Sequence, residues 1–127
     1  GVSERTNEPG AKQFIEILRK IGMTGSTIYV NKDLHLKSAV SYIGNNYMLI
    51  DPDAIDSKCF NGFSIITTEP GENYSANSIS VNGTIILAEG FPGTRSKVEE
   101  SGFSVKTVNV SEFRKLDGGL SCLSLRY

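Results

Sequence analysis

With 127 residues, 13 lysines and arginines against 14 acidic residues and a formal net charge of −1, the chain fits one domain with a modest core and lacks the basic footprint of a nucleic-acid binder. Its 39% hydrophobic and 21% charged content is that of an ordinary globular protein, and no apolar stretch approaches the roughly 20 residues that span a bilayer. Two cysteines, Cys59 and Cys122, are too few for a disulfide framework; a single bridge is one reading, and a reduced, cytosolic setting is the simpler one.

Gly1-Val2-Ser3 reads as the end of a strand, and a start without methionine reads as a fragment or as one half of a larger assembly. A helix follows: Phe14, Ile17, Leu18 and Ile21 fall at i, i+3, i+4 and i+7 on one apolar face. Pro9 suits its first turn and Gly22 its C-terminal cap. Residues 23–30 then read as a β-rich run. A serine-rich strand, Ser38-Ala39-Val40-Ser41-Tyr42, meets a turn at Gly44-Asn45-Asn46, and residues 47–50 read as its apolar partner. Residues 52–60 are a weaker helix candidate. After Gly62 comes a second β run, 63–68, then the serine-rich Asn77-Ser78-Ile79-Ser80-Val81. Asn82-Gly83 is a strong hairpin signal before residues 84–88. A short polar helix over 93–101, with Val98 as its apolar contact, leads to Gly102 and a third β run, 103–110. Ser121-Cys122-Leu123-Ser124-Leu125 reads as a third serine-rich strand.

Gly22, Gly62 and Gly102 are spaced by forty residues, and Asn61-Gly62-Phe63-Ser64 matches Ser101-Gly102-Phe103-Ser104. The expected unit is helix, strand, then hairpin. Repeats of this length build propellers or solenoids, because one unit cannot bury its own apolar face. The third unit stops at Tyr127 without its hairpin partner, so a strand from elsewhere is expected to close the ring. Closure at small radius brings the serine-rich strands together, and with them His35 and Cys122.

Cysteine is the side chain best suited to attack a carbon centre near neutral pH once its thiolate is stabilised. A buried core thiol is the commoner fate, but Gly118-Gly119 ahead of Cys122, and Ser121 and Ser124 beside it, favour function. The glycine pair is expected to let backbone or ligand approach the sulfur closely. Cys59, in an irregular segment, reads as a packing residue. His35, the only histidine, lies between Leu34 and Leu36; such a residue is more often part of a core, though imidazole is also the usual general acid–base. Arg5 is either a solvated cation or a bidentate clamp on a carboxylate. Asp117 either orients a cationic ligand or starts a turn. Thr94-Arg95 opens a helix, and Asn77 caps or bridges backbone at a strand start. One histidine and two cysteines do not make a structural zinc site, and no glycine-rich phosphate loop is present.

Leu-His-Leu-Lys-Ser from Leu34, Tyr-Ser-Ala-Asn from Tyr74, Gly-Phe-Pro-Gly-Thr-Arg from Gly90 and Ser-Glu-Phe-Arg-Lys-Leu-Asp-Gly-Gly-Leu-Ser-Cys-Leu-Ser-Leu-Arg from Ser111 occur in order along the chain. Together they resemble the dimethylarginine dimethylaminohydrolase family of the guanidine-modifying, amidinotransferase superfamily. The resemblance implies a mixed α/β fold that is part of a five-unit α/β propeller, with this chain, residues 1–127, as a single domain corresponding to the C-terminal half. It implies Cys122 as nucleophile, His35 as general acid–base, Arg5 as holder of a substrate α-carboxylate, Leu116 as a backbone-carbonyl contact to the bound amino acid and Asp117 as a further substrate-binding residue. It implies hydrolysis of methylated arginine to citrulline and an amine, without metal or organic cofactor. The acidic residues with which the family grips the guanidinium lie in the half that this chain does not match. The partners expected are therefore a guanidine small molecule and either the missing half or a second copy, with neither nucleic acid nor membrane. Two other readings stand beside this one. A non-catalytic half-propeller would bind or self-associate through an unpaired terminal strand. Alternatively the same chemistry, of arginine deiminase or amidinotransferase type, would act on another guanidine.

Overall fold

The first helix, α1 (Glu8–Lys20), begins where Asn7 accepts the Gly10 N–H at 2.9 Å through its side chain, with Pro9 in the first turn. It ends where Gly22 adopts a φ of 78°. There the N–H of Met23 reaches the Leu18 carbonyl at 3.0 Å and that of Gly22 reaches Arg19 at 3.1 Å, a Schellman closure that favours glycine. The computed structural model describes residues 1–125, and the expected chain end at Tyr127 lies outside them.

Two three-stranded sheets follow, built alike. β1 (Val40–Gly44) and β2 (Tyr47–Ile50) form an antiparallel hairpin, and β3 (Ser64–Thr67) joins β2 in parallel. β4 (Ile79–Val81) and β5 (Thr84–Ala88) form the second hairpin, and β6 (Ser104–Val108) joins β5 in parallel. Both hairpin turns have two successive positive φ angles, 50° and 64° at Asn45-Asn46 and 49° and 77° at Asn82-Gly83. That conformation matches strand twist and selects asparagine and glycine. The crossover from β5 to β6 is α3 (Pro92–Glu100). The crossover from β2 to β3 is only a short 3-10 turn, Ser57–Phe60. The Asp51 side chain accepts the Asp53 N–H and Asp56 accepts that of Lys58, both at 2.9 Å. Such local turns compete with helix and explain why residues 52–60 do not form one.

The forty-residue period holds for two units, with Ser64 and Ser104 opening β3 and β6, and each runs hairpin, crossover, parallel strand. The runs after Gly62 and Gly102 therefore each complete the sheet of the preceding hairpin rather than opening a new unit. Residues 23–30 do not form a strand. Only an isolated parallel bridge links Tyr29 to Val2, closed by Val2 N–H to Ile28 carbonyl at 2.7 Å and Val30 N–H to Val2 carbonyl at 3.0 Å. Residues 121–125 are not a strand either. The Gly119 carbonyl accepts the N–H groups of Cys122 at 3.0 Å and Leu123 at 3.1 Å and curls this segment into a turn. The self-association reading thereby loses one of its two motives, the unpaired terminal strand among the described residues, and keeps the other, the half of the family that this chain does not match.

Ile43, Leu49 and Ile66 of the first sheet pack with Ile85, Leu87, Val98 and Phe103 of the second in one buried cluster. The two serine-rich strands meet as expected: the Ser41 hydroxyl lies 2.7 Å from the Ala76 carbonyl and accepts the Ser78 N–H at 3.0 Å. In contrast, the apolar face of α1 is not absorbed by this core. Phe14, Ile17 and Ile21 are 61%, 56% and 68% exposed.

Candidate functional site

The loop before α2 (Leu36–Ala39) carries His35. Its backbone is held by the Ser3 hydroxyl donating to the Leu34 carbonyl at 2.6 Å and by the Asn31 N–H on Ala54 at 3.1 Å. His35 sits extended at the N-cap, and its carbonyl accepts the Ser38 N–H at 3.0 Å. The second segment comes from the chain end. After α4 (Ser111–Arg114), Asp117 turns the backbone with a φ of 57°, and the turn closed by Gly119 presents Cys122.

These segments face each other across a cleft of about 440 Å³, lined by His35, Asp33 and Ser38 on one side and Asp117, Gly119 and Cys122 on the other. Tyr74, Asn77 and Arg114 complete its wall. His35 and Cys122 also line an adjoining pocket of about 470 Å³ with Thr6 and Leu36, so both side chains stand where the two hollows meet. Arg5 is exposed and lines neither hollow. Leu116 projects with 87% exposure, and its N–H bonds to the Phe113 carbonyl at 3.0 Å. Among the candidate residues, the structure thus brings together His35, Asp117 and Cys122, and leaves Arg5 and Leu116 outside.

Both cysteines are free and exposed, which removes the bridge between them, the core reading of Cys122 and the packing reading of Cys59. His35 is exposed as well. The glycine pair lets other parts of the chain approach closely. A Cβ at Gly118 would lie 2.9 Å from the Phe113 carbonyl oxygen, and one at Gly119 would lie 2.3 Å from the Asn77 amide nitrogen. Asn77 does bridge backbone, accepting the Ser121 N–H at 2.9 Å.

Several lining residues carry no sequence signal of their own. Burial pushes the Asp33 carboxyl up, the neighbouring Asp51 pushes it further, and His35 offsets part of the rise. Tyr74 donates its hydroxyl to the Gly118 carbonyl at 2.5 Å. Burial raises its phenol, Arg114 opposes that, and Cys122 adds to it. The Arg114 guanidinium stacks 4.6 Å from the Tyr74 ring centre and 5.5 Å from that of Phe91. Tyr74 is marked in the sequence only as the first residue of Tyr-Ser-Ala-Asn, without a role, whereas Asn77 is expected to cap or bridge backbone. Among the described residues no three His, Cys, Asp or Glu side chains gather as metal ligands, and no helix is long and apolar enough to cross a membrane. An exposed thiol and an imidazole lining one cleft supply a nucleophile and a proton carrier, the minimum for covalent catalysis at carbon.

No family model matches the chain. Over all 127 of its residues it is 43% identical to N(G),N(G)-dimethylarginine dimethylaminohydrolase of Pseudomonas aeruginosa, covering 50% of that protein. The same enzyme of Streptomyces coelicolor is 29% identical over 99% of the chain and 48% of the relative. A solved structure of the Pseudomonas aeruginosa enzyme, a cysteine-to-serine mutant complexed with citrulline, superposes with a TM-score of 0.91 at 42% identity, over the whole chain and 50% of that structure. An amidinotransferase of Microseira wollei shares the fold at a TM-score of 0.82 and 14% identity, over 94% of the chain and 38% of its own. In sequence and in α/β fold, therefore, the chain resembles dimethylarginine dimethylaminohydrolase throughout, and it spans about half the length of the curated relatives it matches.

Proposed function

We propose that this chain carries the nucleophile and the proton-transfer residue of a hydrolase acting on the guanidinium carbon of methylated arginine. The observation that supports it most is that His35 and Cys122, 87 positions apart in a chain 43% identical to such an enzyme, line one cleft. The Cys122 thiolate adds to the guanidinium carbon, forming a C–S bond and turning the planar cation into a tetrahedral adduct. Collapse of the adduct breaks the C–N bond to the methylated nitrogen. His35 gives that nitrogen a proton, and the amine leaves a covalent thiouronium. His35 then takes a proton from water, whose oxygen attacks the same carbon. Loss of the thiolate releases the ureido product, citrulline.

Asp117 faces the reacting groups from the cleft wall. Arg5 and Leu116, which do not line the cleft, meet the amino-acid end of a substrate that extends beyond it. The carboxylates that offset the charge of the adduct come from outside this chain, from a portion matching the unmatched half of the relatives, and the lone chain is then incomplete as a catalyst. No cofactor is needed for these steps. Two exposed free thiols support a reducing, cytosolic setting.

The test is intact mass after incubation with a chloroacetamidine-type guanidine mimic, with Cys122→Ser as control. The expected result is one adduct, lost in the variant while Cys59 remains available. An adduct that persists in Cys122→Ser, or that falls equally on both cysteines, overturns the assignment of the nucleophile.

A further inference from the structure

The turn that presents Cys122 is held from a distant part of the chain. The 3-10 turn Asn73–Ala76, with Asn77 after it, faces that turn across a separation of 44 residues. Three contacts join them. The Tyr74 hydroxyl donates to the Gly118 carbonyl at 2.5 Å, the Asn77 side-chain oxygen accepts the Ser121 N–H at 2.9 Å, and the Asn77 carboxamide fills the space that a side chain at Gly119 would need. The Ser121 donor fixes which end of that amide is oxygen.

The brace is itself anchored. Asn77 is only 4% exposed, and its own N–H bonds to the Tyr74 carbonyl at 3.2 Å. Asn73 donates its side-chain amide to the buried Asp51 carboxylate at 2.6 Å, at the end of the first sheet. Opposite this brace, the Cys122 turn is closed by the Gly119 carbonyl and by the Ser124 hydroxyl, which donates to the Ser121 carbonyl at 3.1 Å. Removing the Asn77 acceptor would leave the Ser121 N–H without its partner and free the turn to rotate.

We infer that Asn77 is a positioning residue for Cys122, setting the direction from which the thiol faces His35, with Tyr74 as the second point of the brace. It carries no charge and moves no proton; it acts through the backbone of residues 119–122. This assignment rests on the reading of Cys122 as nucleophile and adds to it the residue that aims it.

The test uses the 127-residue chain with Asn77→Ala, Asn77→Asp and Tyr74→Phe, and Cys59, exposed and outside the cleft, as the reference thiol in the same molecule. Two quantities are read: amide hydrogen exchange at Ser121, and the pH dependence of iodoacetamide alkylation at each cysteine. Asn77→Ala is expected to speed Ser121 exchange about tenfold, the effect of losing one hydrogen bond from a local turn. Asn77→Asp keeps the acceptor, so Ser121 stays protected. Its new carboxylate moves the Cys122 profile up by about one pH unit and leaves that of Cys59 in place. Freeing the turn in Asn77→Ala changes the alkylation rate of Cys122 and leaves that of Cys59 in place, which a residue that only supported the fold would not do.

Unchanged Ser121 exchange in Asn77→Ala, or an unmoved Cys122 profile in Asn77→Asp, overturns the proposal. Should Asn77→Ala fail to fold, Tyr74→Phe takes its place, with faster Ser121 exchange expected and unchanged exchange counting against the brace. Reaction of the unmodified chain with chloroacetamidine separates the two ideas. Equal labelling of Cys59 and Cys122 sinks the nucleophile reading, whereas the exchange and alkylation data still decide the role of Asn77.

Discussion

Gly119 and Gly62 show how two glycines in one chain are required for unrelated reasons. Gly62 has a φ of 93° and open space around it, so Gly62→Ala costs only backbone strain, about 1–2 kcal/mol. A methyl at Gly119 meets Asn77 at 2.3 and 2.8 Å, and Asn77 cannot swing away without releasing Ser121. Gly119→Ala is expected to cost about 1–3 kcal/mol by overpacking. Urea denaturation of the two variants, each also combined with Asn77→Gly, separates the causes: the second substitution should recover part of the Gly119→Ala loss and none of the Gly62→Ala loss. Independent, additive effects in both pairs would refute the packing argument. Asp33 allows a second prediction, with its sign fixed by direction. Its carboxyl is raised by burial and by Asp51 above the ordinary 3.8, so the folded protein resists its ionisation. That penalty is absent below the ordinary value and complete above the raised one. Asp33→Asn should therefore raise the urea midpoint near neutral pH and leave it unchanged near pH 3. A midpoint that falls at neutral pH would show that the charged form is the one the fold prefers.

The helices differ in what holds them. At the start of α3, the Glu72 carboxylate accepts the N–H groups of Gly93 at 3.1 Å and Thr94 at 2.6 Å. Burial alone would raise this carboxyl, but the Thr94 and Gly93 hydrogen bonds and the charge of Lys97 outweigh it, and the net shift is downward from 4.5. A lowered carboxyl stabilises the fold above its unfolded pKa, and the contribution is lost as pH falls through the folded one. Glu72→Gln should cost about 0.5–1 kcal/mol at neutral pH. In an acid titration of stability, its curve should merge with that of the unaltered chain at the acid end; curves that stay parallel would exclude the ionised cap. Within α3, Val98 is fully buried, and Val98→Ala should cost about 2 kcal/mol. In α1 the apolar face is exposed, and Ile17→Ser should stay within about 0.5 kcal/mol in the same urea experiment. A large loss there would mean that the helix is packed more tightly than its exposure implies.

What could be read from sequence was local. Both hairpins, the ends of α1 and α3, and the runs that became β3 and β6 are set by neighbours a few residues apart. The order of the repeating unit was not readable, because helix–strand–hairpin and hairpin–crossover–strand have the same period and only strand pairing distinguishes them. Residues 23–30 and 121–125 carry strand-like patterns, but a strand also needs an edge to pair with, and the described chain offers one isolated bridge to the first and none to the second. His35 and Cys122 line one cleft although the third serine-rich strand from which their convergence was expected is a turn; the brace from Tyr74 and Asn77 was not expected, since nothing local marks a contact across 44 residues. The exposed face of α1 belongs with this limit. Its periodicity implies burial, yet Phe14, Ile17 and Ile21 remain open in a chain that spans about half of its relatives. If the face is meant for the unmatched portion, supplying that portion of the Pseudomonas aeruginosa relative as a separate chain should give a one-to-one complex in sedimentation velocity and citrulline release from dimethylarginine. Ile17→Glu should weaken that complex at least about tenfold, because it places a charge in an apolar contact, while leaving the urea midpoint of the lone chain nearly unchanged. A complex that forms equally well with Ile17→Glu would show that this face of α1 is simply solvent-facing, and the covering surface would have to be sought elsewhere on the chain.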